Sequence, residues 1–462
     1  MSARMRYLVL FVASLASFTA AFMSSAINIA LPAIGREFGA GAVAMGWVTT
    51  SYLLAAAVGL LPIGRLADLY GRHRTFRTGI VVYTAASVLC AVAPTTATLI
   101  AFRIVQGLGG AMIFSTSTAL VAMAFPRTER GRALGWNTAA VYTGLSLGPF
   151  IGGVLTHRLG WRSLFLVNIP IGLLLLAVSL WKMRDTSNER KVVRFDVVGA
   201  LIYAVGIVAL IVGFSGLPAT SNLGLTLVGV VVLVGFGFWE LRSRDPLVDL
   251  RIFATNRTFA LSNLAALTNY AATAAVGFLL SLYLQYNRAL TPEAAGAVLV
   301  AQPVLQTVFS PLAGRLSDRI QPRLVASFGM AMTVVGLLWF MRLQPATPIA
   351  LIVATLAWLG VSFGLFSSPN TNAIMSAVPA ELYGVASGTL ATMRSVGQMM
   401  SMGIAMVMLS AYLGTAQITP STAPKLLAGT HVGLAVFAGL CFIGLLASMA
   451  RGNLGDRSLP HL

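Results

Sequence analysis

Apolar stretches of about 20 residues recur along the whole of this chain, each long enough to cross the hydrocarbon core of a bilayer. Of the 462 residues, 57% are hydrophobic and 10% are charged, too little charge for a soluble chain of this length. Fourteen spans are predicted, at 7–33, 43–63, 77–95, 97–123, 133–157, 162–181, 197–215, 222–240, 259–284, 294–313, 324–341, 348–369, 385–413 and 430–450. The pair 197–215 and 222–240 decides between twelve spans and fourteen; both are strongly apolar, and the short polar turn Ala219–Asn222 separates them. The expected fold class is all-α, a polytopic membrane protein with 14 transmembrane helices.

The formal charge of +18 does not mark a nucleic-acid partner. Most Lys and Arg fall in alternate connections, beginning with the N-terminus, and this asymmetry is the positive-inside signature. It predicts both termini in the cytoplasm of a multi-pass bacterial inner-membrane protein, with the lipid bilayer as its first partner. The first span is too long for a signal peptide and lacks a small-residue cleavage site, so it reads as retained. Cys90 and Cys441 lie in apolar spans, with no disulfide framework and no metal-ligand spacing. No GxxxxGK[ST] string occurs, which excludes direct ATP coupling within the chain at the level of motifs. No cluster of His, Asp, Glu and Cys has catalytic or metal-ligand spacing either. Neither an enzyme nor a cofactor is expected, and a monomer is. The short connections hold no domain of about 50 residues, which leaves a membrane sensor or scaffold as a remote alternative.

An internal repeat organises the chain. Gly64-Arg-Leu-Ala-Asp68 returns as Gly314-Arg-Leu-Ser-Asp318, 250 residues further on, each copy at the same end of an apolar span. Two bundles of like topology, related by an axis along the membrane normal, account for that. Charged linkers at Asp185–Arg194 and Leu241–Arg257 flank the seventh and eighth spans. The expected organisation is an N-terminal six-helix bundle over 1–185, a linker and inserted two-helix hairpin over 186–250, and a C-terminal six-helix bundle with a short tail over 251–462.

The segment Gly144–Gly153, GLSLGPFIGG, puts Gly144, Gly148, Gly152 and Gly153 on one face of a helix, with Pro149 among them. Gly and Pro cost stability in a helix, and a membrane helix tolerates them where a neighbour approaches closely or a bend is needed. In the loop Gly64-Arg-Leu-Ala-Asp-Leu-Tyr-Gly-Arg-His-Arg74, Gly64 and Gly71 permit a tight turn. Asp68 there is an acceptor among Arg residues that include Arg72. In the second copy Gln321 stands where the later glycine would fall. Arg103 and Arg394 lie within spans, where a charge is costly and faces the bundle interior or a wet cavity.

The glycine segment resembles the antiporter motif in the fifth helix of drug exporters of the major facilitator superfamily. The Gly64–Arg74 loop resembles that superfamily's signature between helices two and three. Arg103, Gln106, Gly107, Gly109 and Gly110 resemble its helix-four motif. Asn28-Ile-Ala-Leu-Pro32, Trp47-Val-Thr-Thr-Ser-Tyr52 and Trp161-Arg162-Ser-Leu-Phe165-Leu-Val-Asn168-Ile-Pro170 resemble the fourteen-helix drug:proton antiporter family in particular. The resemblance implies a major facilitator fold of two six-helix bundles plus a two-helix insert. It also implies export of small lipophilic drugs by alternating access, with protons as the coupling ion. Gly64, Asp68, Gly71, Arg72, Gly314 and Asp318 would form the cytoplasmic latch, and Gly144, Gly148, Pro149, Gly152 and Gly153 the second gating element.

One departure stands out. The family's first helix commonly carries an aspartate a few residues before the asparagine; Met23 holds that position here. None of the 13 acidic residues lies near the middle of a predicted span, and the 4 histidines lie at span ends, in loops or in the tail. A proton carrier needs a carboxylate or His whose pKa burial can raise. The usual carrier is therefore missing. The expected cavity lining is polar: Ser24, Ser25 and Asn28 of span one, and Asn137 and Tyr142 of span five. From the C-terminal half it takes Asn269, Tyr270, Gln302, Gln306, Asn370 and Gln398, with Arg103 and Arg394 as fixed charges. Those two arginines with no buried acid make a transporter or exchanger of anionic metabolites or lipids the alternative.

Overall fold

The structure is a computed structural model that describes residues 3–182, 195–217, 220–243, 247, 250–379, 382–414, 417–419 and 421–452. The linker expected at Asp185–Arg194 lies outside the described residues. The N-terminal set of helices is α1 (Ala3–Phe38), α2 (Ala42–Tyr70), α3 (Arg72–Ala91), α4 (Thr96–Ala124), α5 (Arg127–Leu159), α6 (Ser163–Leu166) and α7 (Asn168–Lys182). A hairpin of α8 (Val197–Ser215) and α9 (Thr220–Arg242) follows. The C-terminal set opens with α10 (Arg251–Thr255), α11 (Arg257–Thr273), α12 (Val276–Leu282) and one turn of π-helix over Tyr283–Asn287. It continues with α13 (Pro292–Leu299), α14 (Ala301–Arg319), α15 (Pro322–Phe340), α16 (Ile349–Ser376), α17 (Tyr383–Leu413) and α18 (Ala423–Ala450).

Among the described residues, 13 spans are long and apolar enough to cross a membrane. The remaining expected span, 77–95, is α3, whose 20 residues rise about 30 Å. Arg72, Arg74 and Arg77 in its first turns keep it out of the set that composition selects. The helices expose many large apolar side chains, among them Leu173, Leu201, Val231, Phe238 and Phe328. In water these would be a liability; against lipid they are the solvated surface.

In the N-terminal set α1 packs on α5, α2 on α4, and α3 on α4 and α7; in the C-terminal set α14 packs on α16, α15 on α16 and α18, and α11 on α17 and α18. The hairpin attaches through α8. Tyr203, Ile207 and Ile211 join Leu54 and Ala57 of α2 and Met399 of α17 in one buried cluster, so α8 covers the seam where α2 meets α17.

The two copies of the repeat turn differently. Gly71 alone separates α2 from α3, at φ 101°, a region open to glycine. Its N–H donates to the Ala67 carbonyl at 3.0 Å and its own carbonyl accepts from the Thr75 N–H at 3.1 Å. At the second copy Ile320 and Gln321 make the link, and Pro322 starts α15 with its φ preset for a helix. A glycine is not needed there.

We call the side of the molecule that holds the α2–α3 turn the basic face. The other side, with the α1–α2 and α5–α6 turns, is the opposite face.

Candidate functional site

Prolines shape the site by what they remove. Pro32 lies inside α1 and Pro149 inside α5. Each lacks an N–H and leaves the carbonyl four residues earlier without its intrahelical donor. The Leu145 carbonyl, freed by Pro149, accepts from the Ser25 hydroxyl of α1 at 3.0 Å. The Asn28 carbonyl, freed by Pro32, accepts from the Ser281 hydroxyl of α12 at 2.8 Å. Gln285 Nε2 adds a bond to the Ile29 carbonyl at 3.0 Å. Each proline thus creates an acceptor that a neighbouring helix fills.

The glycine face of α5 makes two contacts. A methyl group at Gly144 would lie 2.6 Å from the Phe18 carbonyl oxygen, at Gly148 2.7 Å from Ser25 Cβ, and at Gly152 2.7 Å from Ala26 Cβ. All three belong to α1, and no side chain fits between the helices. Gly153 turns to the C-terminal set, where a methyl would lie 2.5 Å from the Pro292 carbonyl oxygen. Gly296 of α13 in turn receives the Pro149 carbonyl.

These contacts join the two helix sets on the opposite face. Arg158 Nη2 meets Glu293 Oε1 there at 3.2 Å, and Gln417 Nε2 donates to the Gly39 carbonyl at 2.9 Å. Deeper in, Ser146 Oγ lies 3.0 Å from Thr307 Oγ1, and Tyr142 Oη lies 3.2 Å from Ser367 Oγ.

Between the sets lies a cavity of about 430 Å³, within the range of small-molecule sites. Ser24, Ser25, Asn28, Asn137 and Tyr142 line it from the N-terminal set; Tyr270, Gln302, Gln306, Arg394 and Gln398 line it from the C-terminal set. Pro149, expected only in gating, also lines it, as do Leu53, Phe114, Phe363 and Met402. Asn28 Oδ1 accepts from Thr49 Oγ1 at 3.1 Å. Arg394 Nη2 donates to Thr371 Oγ1 at 3.0 Å, and its guanidinium stands 5.6 Å above the Tyr270 ring. Among the described lining residues Arg394 is the one charged side chain.

Three expected lining residues lie elsewhere. Arg103 is fully buried between α2, α3 and α4. Its Nε donates to the Val48 carbonyl at 3.0 Å, its Nη1 to Gln106 Oε1 at 2.6 Å, and its guanidinium covers the Tyr52 ring at 4.3 Å. Gln106 Nε2 passes the chain on to Ser87 Oγ at 2.8 Å. This is a helix-packing network, not a cavity charge. Asn370 accepts from Arg451 Nη1 at 2.7 Å and donates to the Ser262 carbonyl at 3.1 Å. Asn269 is buried off the lining. Met23 is also fully buried in the apolar core and does not reach the cavity.

The latch residues are seen in part. Gly64 has open space beside it, with Ser115 Cβ 4.0 Å from where a methyl would stand. At Gly314 the corresponding distance to Ser368 Oγ is 2.8 Å. Arg72 Nη1 reaches Met123 Sδ of α4 at 3.1 Å. The side chains of Asp68 and Asp318 lie outside the described residues.

Sequence reasoning missed Glu37. It accepts from Trp161 Nε1 at 2.7 Å and from Arg162 Nη1 at 2.5 Å. It thereby ties the end of α1 to the Trp161-Arg162 pair. Both partners were legible as a motif, but their acceptor lies more than a hundred residues away.

Comparison with known proteins places this architecture. The family model of the Major Facilitator Superfamily matches residues 13–198 and 263–457. The chain is 35% identical over 396 residues to the multidrug resistance protein Stp of Mycobacterium tuberculosis, covering 84% of this chain and 73% of that one. It is 28% identical to the riboflavin transporter RibZ of Clostridioides difficile, covering 99% and 100%. It is 29% identical to the tetracenomycin C resistance and export protein of Streptomyces glaucescens, covering 85% and 73%. In fold alone it is similar to a crystal structure of a bacterial homolog of the human lysosomal transporter Spinster, inward-facing and unoccupied. The TM-score is 0.73 at 16% identity, over 100% of both chains.

Proposed function

The chain belongs to the Major Facilitator Superfamily, and from that premise we propose that it is a secondary active exporter of small lipophilic compounds, antibiotics among them. It works by alternating access: the two helix sets rock about the cavity and open it to one face at a time. We assign it to the fourteen-helix drug-exporter type, as a monomer in the bacterial cell membrane with both termini and the basic face in the cytoplasm.

The observation that carries this reading is the cavity between the two helix sets, closed toward the opposite face by Ser281–Asn28, Gly153–Pro292 and Arg158–Glu293. Its mixed lining of amides, hydroxyls and apolar groups suits compounds with an apolar body and few polar groups. Relatives named for multidrug resistance and for export support the direction. Proton antiport, which the family resemblance implies, would need a carrier outside the described lining, because that lining holds no carboxylate or histidine.

The test compares accumulation of a panel of antibiotics and dyes in cells with and without the protein, each with and without an uncoupler. Lower accumulation in expressing cells, lost with Gly148→Leu, is the expected result. Equal accumulation across the panel would overturn export as the function.

A further inference from the structure

Among the described residues Arg103 and Arg451 are buried, whereas Arg394 is half-buried and differently held. Arg103 gives bonds to the Val48 carbonyl and Gln106, with an aromatic ring beneath it. Arg451, at the end of α18, gives bonds to Ser262 Oγ, Asn370 Oδ1 and the Pro322 carbonyl. Both stand off the cavity. Arg394 stands in it, half-buried, with Thr371 Oγ1 as a side-chain acceptor. Each of the three keeps one buried nitrogen without a partner, Nη2 in Arg103 and Nε in Arg451 and Arg394, but at Arg394 alone does the guanidinium face the cavity. A guanidinium carries five donors, and a charge held partly away from water is stabilised by a counter-charge or by further acceptors. Neither comes from the described lining. The other titratable side chains there are the phenols Tyr142 and Tyr270.

We infer that Arg394 is an anion site: the cavity takes small organic acids with an apolar body as monoanions, and the membrane potential drives them out. The inference rests on the cavity being the transport route. The carboxylate or sulfonate of the substrate supplies the charge-assisted acceptors that the protein withholds. The apolar body lies against Phe114, Phe363 and Met402, which line the same cavity.

The charge balance then makes the membrane potential the driving force. The empty cavity carries one positive charge at Arg394, and the loaded cavity is neutral. With the interior of the cell negative, return of the empty, positive cavity toward the inside is favoured, and the loaded cavity moves outward unopposed. One negative charge leaves per cycle. An interior potential of about −60 mV sustains about a tenfold outward gradient of a monoanion. No proton carrier is required of the protein.

The test uses purified full-length protein in liposomes and three fluorescent probes: dansylglycine, a monoanion; dansylglycinamide, the same body without the carboxylate; and ethidium, a cation. Potentials are set with potassium and valinomycin, and pH steps are applied separately. Dansylglycine efflux should rise when the vesicle interior is made negative and should ignore a pH step. Arg394→Gln should lower it about tenfold or more, the loss expected from one charge-assisted bond. Arg394→Lys should keep most of it, and dansylglycinamide flux should not respond to the potential. Ethidium flux driven by a pH step and untouched by Arg394→Gln would overturn the anion site while leaving export intact. Dansylglycine flux that follows pH, or that survives Arg394→Gln, would do the same. No flux of any probe above that of protein-free vesicles would overturn both this inference and the exporter reading.

Discussion

The Ser281 hydroxyl of the C-terminal helix set donates at 2.8 Å to the Asn28 carbonyl of the N-terminal set. That carbonyl is available because Pro32 has no N–H to give it. The bond is therefore specific to the arrangement in which the opposite face is closed. When the sets part there, the carbonyl passes to water, so the bond biases the closed arrangement without sealing it.

From this follows a first prediction. Ser281→Ala removes the bond that crosses to the Asn28 carbonyl, about 1 kcal/mol, or roughly a fivefold shift toward opening on the opposite face, together with the bond Ser281 Oγ accepts from Gln285 Nε2 at 3.1 Å within its own helix set. A Ser24→Cys reporter in the cavity should then label faster with a membrane-impermeant maleimide applied from that face. An unchanged labelling rate would show that the bond does not bias the closure.

Gly148→Leu should stop turnover. Even a methyl there stands 2.7 Å from Ser25 Cβ and 3.0 Å from the Ala26 nitrogen. Overpacking of this kind costs about 1–3 kcal/mol and moves backbone. The moved backbone would be α1 and α5, which line the cavity. Flux in liposomes, with folding checked by size-exclusion chromatography, is the measurement. Wild-type flux in the folded variant would show that α1 and α5 need not pack this closely.

Arg103→Gln should lower thermal stability and leave substrate preference unchanged. The Val48 carbonyl and Gln106 lose a charged donor, a cost of about 1–3 kcal/mol for buried groups left unpaired. Melting temperature and the ratio of dansylglycine to dansylglycinamide flux separate the outcomes. A changed ratio at an unchanged melting temperature would return Arg103 to the cavity.

How far the fold and site could be read from the sequence depends on what kind of constraint each residue answers to. Span lengths answer to bilayer thickness, so they were legible; α3 shows that three arginines in the first turns do not prevent a helix. The glycine face was legible because Gly148 and Gly152 have no reason to sit in a helix other than a close neighbour. Its second partner, Pro292 of the other helix set, was not, since nothing in residues 144–153 says which helix approaches. Polar residues inside spans were ambiguous: Asn28 and Gln398 reach the cavity, while Asn370 and Arg103 bond across helix seams and Asn269 is buried off the lining. One signal was present for Arg103. Gln106 stands three residues on, where helical spacing puts the two on one face, able to satisfy each other. Met23 shows the same limit, since occupying a family's acidic position does not put a side chain into this cavity.

Asp68→Asn is expected to abolish most transport with normal expression, if the Gly64–Arg74 loop is the latch its sequence suggests. Normal flux in a normally expressed variant would defeat that assignment.

The account turns on the two helix sets parting on the opposite face during each cycle. Arg158 and Glu293 face each other across that seam, 3.2 Å apart at Nη2 and Oε1, and the native Cys90 and Cys441 are both buried. The direct measurement is flux of dansylglycine through an Arg158→Cys, Glu293→Cys double variant, before and after joining the new thiols with a short bifunctional maleimide. The account predicts flux before the link is made and none after it, with each single variant unaffected by the reagent. Undiminished flux through fully linked protein would contradict it.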